Sequence, residues 1–535
     1  MAAIQSLRRC VYAVPLLFLS AVLVGCGGSS AGGARYTSEA KLGAPQTAAE
    51  IAAFDNLQQE QYAHFVDNPY QLAADYPIST FSTDVNTASY SNVRRMIDGG
   101  KLPPKDAVFL AEMINYFPYA YPAPVGDEPV AFGLDIAACP WNPKHHLARI
   151  GLKAKSIHPS NMPARNLVFL VDVSGSMDGA SRLGLVQKSL HLLINELTQK
   201  DTVSIVTYAG DTSVKLPPTR GDMKARIRAV VDALSARGST NAGNGIRLAY
   251  DQARANFLEQ GANRVILCTD GDFNVGITSE GELVRLIEEQ RKSNVFLTVL
   301  GYGMGNLKNQ NLEKLANHGN GHYAYIDSEA EAHKVFVEQG GALVAVAKDV
   351  KLQVHFNPAK VNAYRLIGYE NRLLKTEDFK NDAKDAGDLG GGHTVTALYE
   401  IVPVGVDLDL PKADKPVYAE TPKPKKGEAS TDWLTVKMRY KHPMAETSLE
   451  LVKPLAGDAL GKPVNDDFRF VASVAEFGLI LRESPYKGGA EYGRVIRESE
   501  AARGADAAGH RAEFTKLVKQ AKKLTPAVKG GDAKD

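Results

Sequence analysis

Asp172, Ser174 and Ser176 stand at alternate positions in FLVDVSGSMDG, residues 169–179, directly after an apolar run. A buried strand that stops on three oxygen-bearing side chains offers a nucleophile, a phosphate cradle or a hard-cation site. In an open α/β sheet, ligands sit beyond the carboxyl ends of the strands, where the strand order reverses. Asp172 occupies such an end. Asp270, in ILCTDGDFN, follows a second apolar run, and Thr240 lies between them in the glycine-rich stretch ARGSTNAGNGI, ahead of a helical pattern. Two carboxylates and three hydroxyls form an oxygen-only donor set. Such a set suits Mg2+, with Mn2+ or Ca2+ as alternatives.

Competing chemistries lack their parts. An aspartyl phosphatase resembling the haloacid dehalogenases needs a second Asp where Ser174 stands. Neither Ser174 nor Ser176 has the G-x-S-x-G elbow of a serine hydrolase. GDALGKP, residues 457–463, has the wrong spacing for a nucleotide-binding P-loop and no Ser or Thr after its lysine. GYGMGN, residues 301–306, follows a late strand, and its third glycine is misplaced for a dinucleotide. No H-E-x-x-H is present, so neither an enzyme nor a nucleotide binder is expected. Asp84-x-Asn86 lacks the glycine and distal glutamate of an EF-hand and reads as helix capping, and Asp178 and Asp272 read as loop or capping residues.

The elements around these positions are legible as periodicities. A chain of 535 residues exceeds one core, so roughly three domains are expected. Its net charge of +1 supplies no field for nucleic acid. Over 165–340, apolar runs at Leu167–Val171, Val203–Val206, Val265–Cys268 and Val295–Leu300 alternate with helical patterns near 183–197, 222–236, 243–259, 280–292 and 328–339. This predicts an α/β domain, a doubly wound and mostly parallel sheet of Rossmann-like type. Residues 76–127 read as an N-terminal helical flank, 464–525 as a C-terminal helical region and 526–535 as a disordered tail. Strand patterns occupy 128–156 and 348–455. Neither set alone covers an apolar face, so the pair is expected to close one β-sandwich with the α/β domain inserted in it.

The N-terminus fixes the expected compartment. Residues 1–25 carry Arg8 and Arg9, no acid, and a short apolar core, the pattern of a secretory signal. Leu23-Val24-Gly25-Cys26 resembles a bacterial lipobox, which makes Cys26 the lipidated residue and 26–75 a tether. No later stretch approaches the ~20 apolar residues of a membrane span, so acyl chains are the expected anchor in the cell envelope. Gly27 follows the cysteine in place of an aspartate, which favours the outer membrane in a Gram-negative host. Cys139 and Cys268 read as free thiols.

Asp172-x-Ser174-x-Ser176, Thr240 and Asp270, in that order, resemble the metal-ion-dependent adhesion site of von Willebrand factor type A domains. The stretches STFSTDVNTASYSNVRRMIDGGKLPP, EMINYFPYAYP, YENRLL, DAGDLGGGHTVTALYEI and DFRFVASVAEFGLILRESPY resemble the flanks of bacterial lipoproteins that carry such domains, over most of the chain after about residue 75. The resemblance implies that Ser174, Ser176 and often Thr240 bind Mg2+ directly, and that Asp172 and Asp270 act directly or through water. It further implies an open metal position, completed by an Asp or Glu of a protein partner. The expected function is a membrane-anchored envelope binding protein. A structural envelope lipoprotein with a purely stabilising metal site, and a non-catalytic subunit of a larger enzyme complex, remain alternatives.

Overall fold

Arg165–Asp172 is buried at every position, as a strand covered on both faces must be. The computed structural model describes Tyr62 and residues 64–83, 86–239, 242–271, 280–303, 309–408 and 430–526. Among these residues the chain forms three sheets and eleven α-helices.

The α/β unit carries strands β5 (Arg165–Asp172), β6 (Thr202–Tyr208), β7 (Thr212–Arg220), β8 (Ala262–Thr269), β9 (Phe296–Tyr302) and β10 (Tyr323–Ile326) in the order β10-β9-β8-β5-β6-β7. All neighbours are parallel except β6 and β7. Leu167, Phe169 and Val171 pack with α3 (Leu183–Glu196), α4 (Lys224–Asp232) and α8 (Glu329–His333). Val168 and Leu170 face the other way, toward α5 (Ala242–Ala255), α6 (Glu280–Arg291) and α7 (Asn309–His318). The sheet is therefore doubly wound, and its order reverses around β5. Cys268 is a buried free thiol within β8, as its apolar setting predicts, and Cys139 is buried and free as well.

Two antiparallel sheets share a second core. One runs β1 (Gln71–Leu72), β12 (Val361–Ile367), β14 (Thr394–Pro403), β4 (Asn142–Ala154), β3 (Val130–Cys139). The other runs β13 (Gly387–Gly390), β11 (Ala345–Phe356), β15 (Leu434–Lys441), β16 (Ser448–Leu455), with β2 (Ile78–Ser82) also on β11. Phe132, Ile150, Tyr399, Val354, Val436 and Leu455 belong to the core between them. β4 pairs with β14 from Lys153↔Thr394 to His146↔Ile401, so the α/β unit sits between two strands of one sandwich. Helices α1 (Ala88–Asp98), α2 (Leu110–Asn115), α9 (Asp466–Leu481), α10 (Tyr492–Ala501) and α11 (His510–Leu524) bring a third apolar layer, packed with Leu147, Ile367 and Leu398 of the first sheet.

Three expectations are corrected. Residues 71–72 and 78–82 are strands rather than tether and helical flank, because Asn68 is anchored to the carbonyls of Leu366 and Gly368 at 3.1 and 2.8 Å and lays the chain along the sandwich. Asn86 is no helix cap. Its side chain accepts from the Tyr323 amide at 2.9 Å and donates to Glu313 and Asn317, joining the flank to the α/β unit. The helix expected over 328–339 is split into α8 and a π-helical turn, Lys334–Glu338. The α/β unit also holds β7, β10 and α7, which no periodicity announced.

Buried ionic clusters join these parts. Arg94 of α1 donates to Asp327 at 3.0 and 2.5 Å, to Glu331 at 2.8 Å, to the Tyr116 hydroxyl at 2.8 Å and to Glu513 of α11 at 3.2 Å. On the helix-covered side of the first sheet, Glu400 meets His145 at 2.7 Å, Arg365 at 2.9 Å and Trp141 at 3.1 Å. Burial alone would raise the Glu400 carboxyl. The His145 and Arg365 contacts overcome it and hold the group at about 2.

Removing one member of a buried charge network typically costs about 3–5 kcal/mol, because its partners stay buried without compensation. Arg94→Ala is expected to lower unfolding free energy by that amount in urea titration; an unchanged midpoint would refute the bracing role. The depressed Glu400 pKa stabilises the fold above the ordinary carboxyl range, and that stabilisation is lost as pH falls from about 4.5 toward 2. Its size is about 3 kcal/mol. Glu400→Gln should flatten the acid limb of stability against pH, and an unaltered limb would contradict the assignment.

Candidate metal centre

The apolar run of β5 ends because Asp172 turns the chain. Its Oδ1 accepts the Ser174 amide at 2.9 Å, a side-chain-to-backbone turn that Asp forms readily. A single 3-10 turn, Gly175–Met177, follows, and Met177 is buried in the core on the α3 side. That anchor brings the Ser174 and Ser176 hydroxyl oxygens to 3.0 Å from each other. Ser174 is buried, Ser176 is half-buried, and Gly175 and Asp178 are exposed. Asp178 closes the turn through its amide to the Gly175 carbonyl at 3.3 Å, in keeping with a loop role.

Asp270 follows β8 directly and is buried beside Asp172. The loop leading toward Thr240 is tied to the same turn. The Gly175 amide donates to the Gly238 carbonyl at 2.9 Å, and the Arg237 amide donates to the Val173 carbonyl at 2.6 Å. Thr240 and Asp272 lie outside the described residues, as do Cys26 and the signal segment. Asp172, Ser174, Ser176 and Asp270 are thus brought together at the carboxyl ends of the central strands, with Arg237 and Gly238 tied to the same turn.

Burial raises the Asp172 carboxyl to about 6. The Ser174 hydrogen bonds oppose the rise, and the charge of Asp270 adds to it. The bonds that reach Asp172 come from neutral donors: the Ser174 amide, the Tyr208 hydroxyl at 3.1 Å and the Thr269 hydroxyl at 3.2 Å. A divalent cation is the group that two adjacent buried carboxylates would favour. Among the described residues no three His, Cys, Asp or Glu side chains converge as metal ligands, so a cation here depends on the hydroxyls. The donor chemistry fits Mg2+: at metal–oxygen distances of about 2.0–2.1 Å, adjacent corners of an octahedron lie about 2.8–3.0 Å apart, which is the Ser174–Ser176 spacing.

Tyr208 and Thr269 were not among the sequence-derived candidates. Their signal was slight: each is a hydroxyl closing an apolar run, in VSIVTY and VILCTD.

Fold and site together define a bacterial von Willebrand factor type A domain protein. Residues 166–339 match the von Willebrand factor type A domain family, residues 56–149 match a family described as von Willebrand factor, and residues 341–524 match the C-terminal family of the uncharacterized protein YfbK. The chain is 41% identical to uncharacterized protein YfbK of Escherichia coli (strain K12) over 498 residues, 91% of this chain and 85% of that one. It belongs to the YfbK family. Human inter-alpha-trypsin inhibitor heavy chain H3 is 27% identical over 185 residues, 32% of this chain, which spans about a fifth (21%) of that protein. Among solved structures, von Willebrand factor type A from Catenulispora acidiphila aligns with a TM-score of 0.40 at 16% identity, covering 72% of this chain and 89% of that one.

Proposed function

We propose that this protein is a lipid-anchored binding protein of the cell envelope that captures a protein ligand through a divalent cation. One observation carries the reading. Asp172, Ser174, Ser176 and Asp270 gather at the reversal point of the sheet, where the fold places ligands. Two serine hydroxyls supply no charge, so a Mg2+ held by them keeps most of its charge and draws in an anionic oxygen. An Asp or Glu of a partner is the natural source of that oxygen, and the exposed Gly175 leaves the turn open to it. Von Willebrand factor type A domains are interaction modules, which agrees with this use. The lipobox at Cys26 supplies the anchor, and a single acyl chain would hold only marginally.

Calorimetry of the soluble chain with MgCl2 should show one site, and Asp172→Ala should abolish it. A partner drawn from envelope extract should be retained in Mg2+, released by EDTA and absent from the Asp172→Ala eluate; retention in EDTA would sink cation-dependent capture. Cys26→Ser should move the full chain from the membrane pellet to the soluble fraction. Its recovery in the pellet after a high-salt wash would show that Cys26 is not the anchor.

A further inference from the structure

Asp172 is held from three strands at once. Its Oδ1 is engaged by its own loop, at the Ser174 amide. Its Oδ2 accepts the hydroxyl of Tyr208, the last residue of β6, and that of Thr269, the last residue of β8. β6 and β8 flank β5 in the sheet, so the carboxylate cannot turn without breaking a bond to one neighbour or the other. The two hydroxyls are themselves fixed. The Gly271 amide donates to Thr269 Oγ1 at 3.1 Å. Gly245 of α5 packs against Tyr208 so closely that an added Cβ would lie 2.9 Å from the tyrosine Cβ.

Rigidity of this kind discriminates between ions. Mg2+ demands a near-ideal octahedron at about 2.0–2.1 Å, whereas Ca2+ takes six to eight oxygens at about 2.3–2.6 Å in flexible arrangements. In six-fold coordination the larger ion needs adjacent oxygens about 3.3–3.7 Å apart. Ser174 and Ser176 stand at 3.0 Å, and Asp172, which turns the loop that carries them, is clamped.

We propose that Tyr208 and Thr269 are positioning residues that make the site select Mg2+ over Ca2+, by denying Asp172 the freedom to re-aim around a larger ion. This rests on reading Asp172, Ser174, Ser176, Thr240 and Asp270 as a cation site. Loss of either hydroxyl frees one side of the carboxylate, which costs the exacting ion more than the tolerant one. Outer-shell partners of metal ligands are commonly worth 10–100-fold in affinity.

The experiment is calorimetric titration of the purified chain with MgCl2 and, separately, CaCl2. Tyr208→Phe, Thr269→Val and Thr269→Ser are titrated in the same way. The wild-type chain should bind Mg2+ more tightly. In Tyr208→Phe and Thr269→Val the Mg2+ affinity should fall about tenfold or more and the Ca2+ affinity less, so that the ratio collapses. Thr269→Ser, which keeps the hydroxyl, should retain the wild-type ratio. The ratio is taken within each variant, so a reduced folded fraction cancels. An unchanged ratio in both hydroxyl-deleting variants, or a wild-type preference for Ca2+, would overturn the clamp while leaving the cation site intact. A wild-type chain that binds neither ion would overturn the cation reading itself.

Discussion

The ladder between β4 and β14 is the constraint on which the rest depends. It joins strands nearly 250 residues apart, one before the α/β unit and one after it. Closing a loop of that size costs about 5 kcal/mol in chain entropy, and the cost grows only slowly with length. Each fully buried aliphatic side chain contributes ~1.5–3 kcal/mol, so the shared core of the two sheets outweighs that cost several-fold. An insertion as large as the α/β unit is therefore tolerated. The sandwich, in turn, holds the two connections to that unit, one at the end of β4 and one at the start of β11 in the facing sheet.

Covalent connection alone would leave the α/β unit free to swing, and the Arg94 cluster prevents it. Its guanidinium reaches Asp327 and Glu331 of the α/β unit, Tyr116 of the N-terminal flank and Glu513 of the C-terminal helices. Lys334 of the π-helical turn, whose ammonium pKa is pushed down to about 7 by burial, joins the cluster by donating to the Tyr116 carbonyl at 2.7 Å. Burying such charges is expensive, and only complete pairing offsets it, so a swing that parted Arg94 from Glu331 would expose the full penalty. Exposed pairs such as Arg220–Asp222 impose nothing comparable, because water screens them.

The sequence made the candidate metal centre more legible than its surroundings, for a physical reason. Asp172, Ser174 and Ser176 are adjacent in the chain, and Asp270 follows a continuous apolar run, so spacing and burial pattern suffice to place them. Tyr208 and Thr269 act through one hydroxyl each, at the ends of runs that read as plain core. β1 and β2 are short, and their partners lie almost 300 residues away, as in Gln71↔Tyr364 and Ile78↔His355, where no local pattern reaches. β7 was hidden by Pro217 and Pro218, which suit an edge strand but break the apolar alternation. The Arg94 network was illegible because its members come from four separate segments, and each alone reads as a solvated charge.

The placement of that network bears on the candidate metal centre. β10 runs parallel to β9, β8 and β5, so Asp327, just past its end, lies at the same carboxyl end of the sheet as Asp172. β10 and β5 are three strand spacings apart, about 14 Å. One sheet therefore carries both charge clusters. The carboxyl end of the sheet that presents Ser174 and Ser176 is thus braced at its β10 edge by residues of both flanking regions. An excised α/β unit would lose Arg94, Tyr116 and Glu513, the groups around which the cluster is built. The flanks are therefore part of what holds the candidate site in place, and the three segments form one working body.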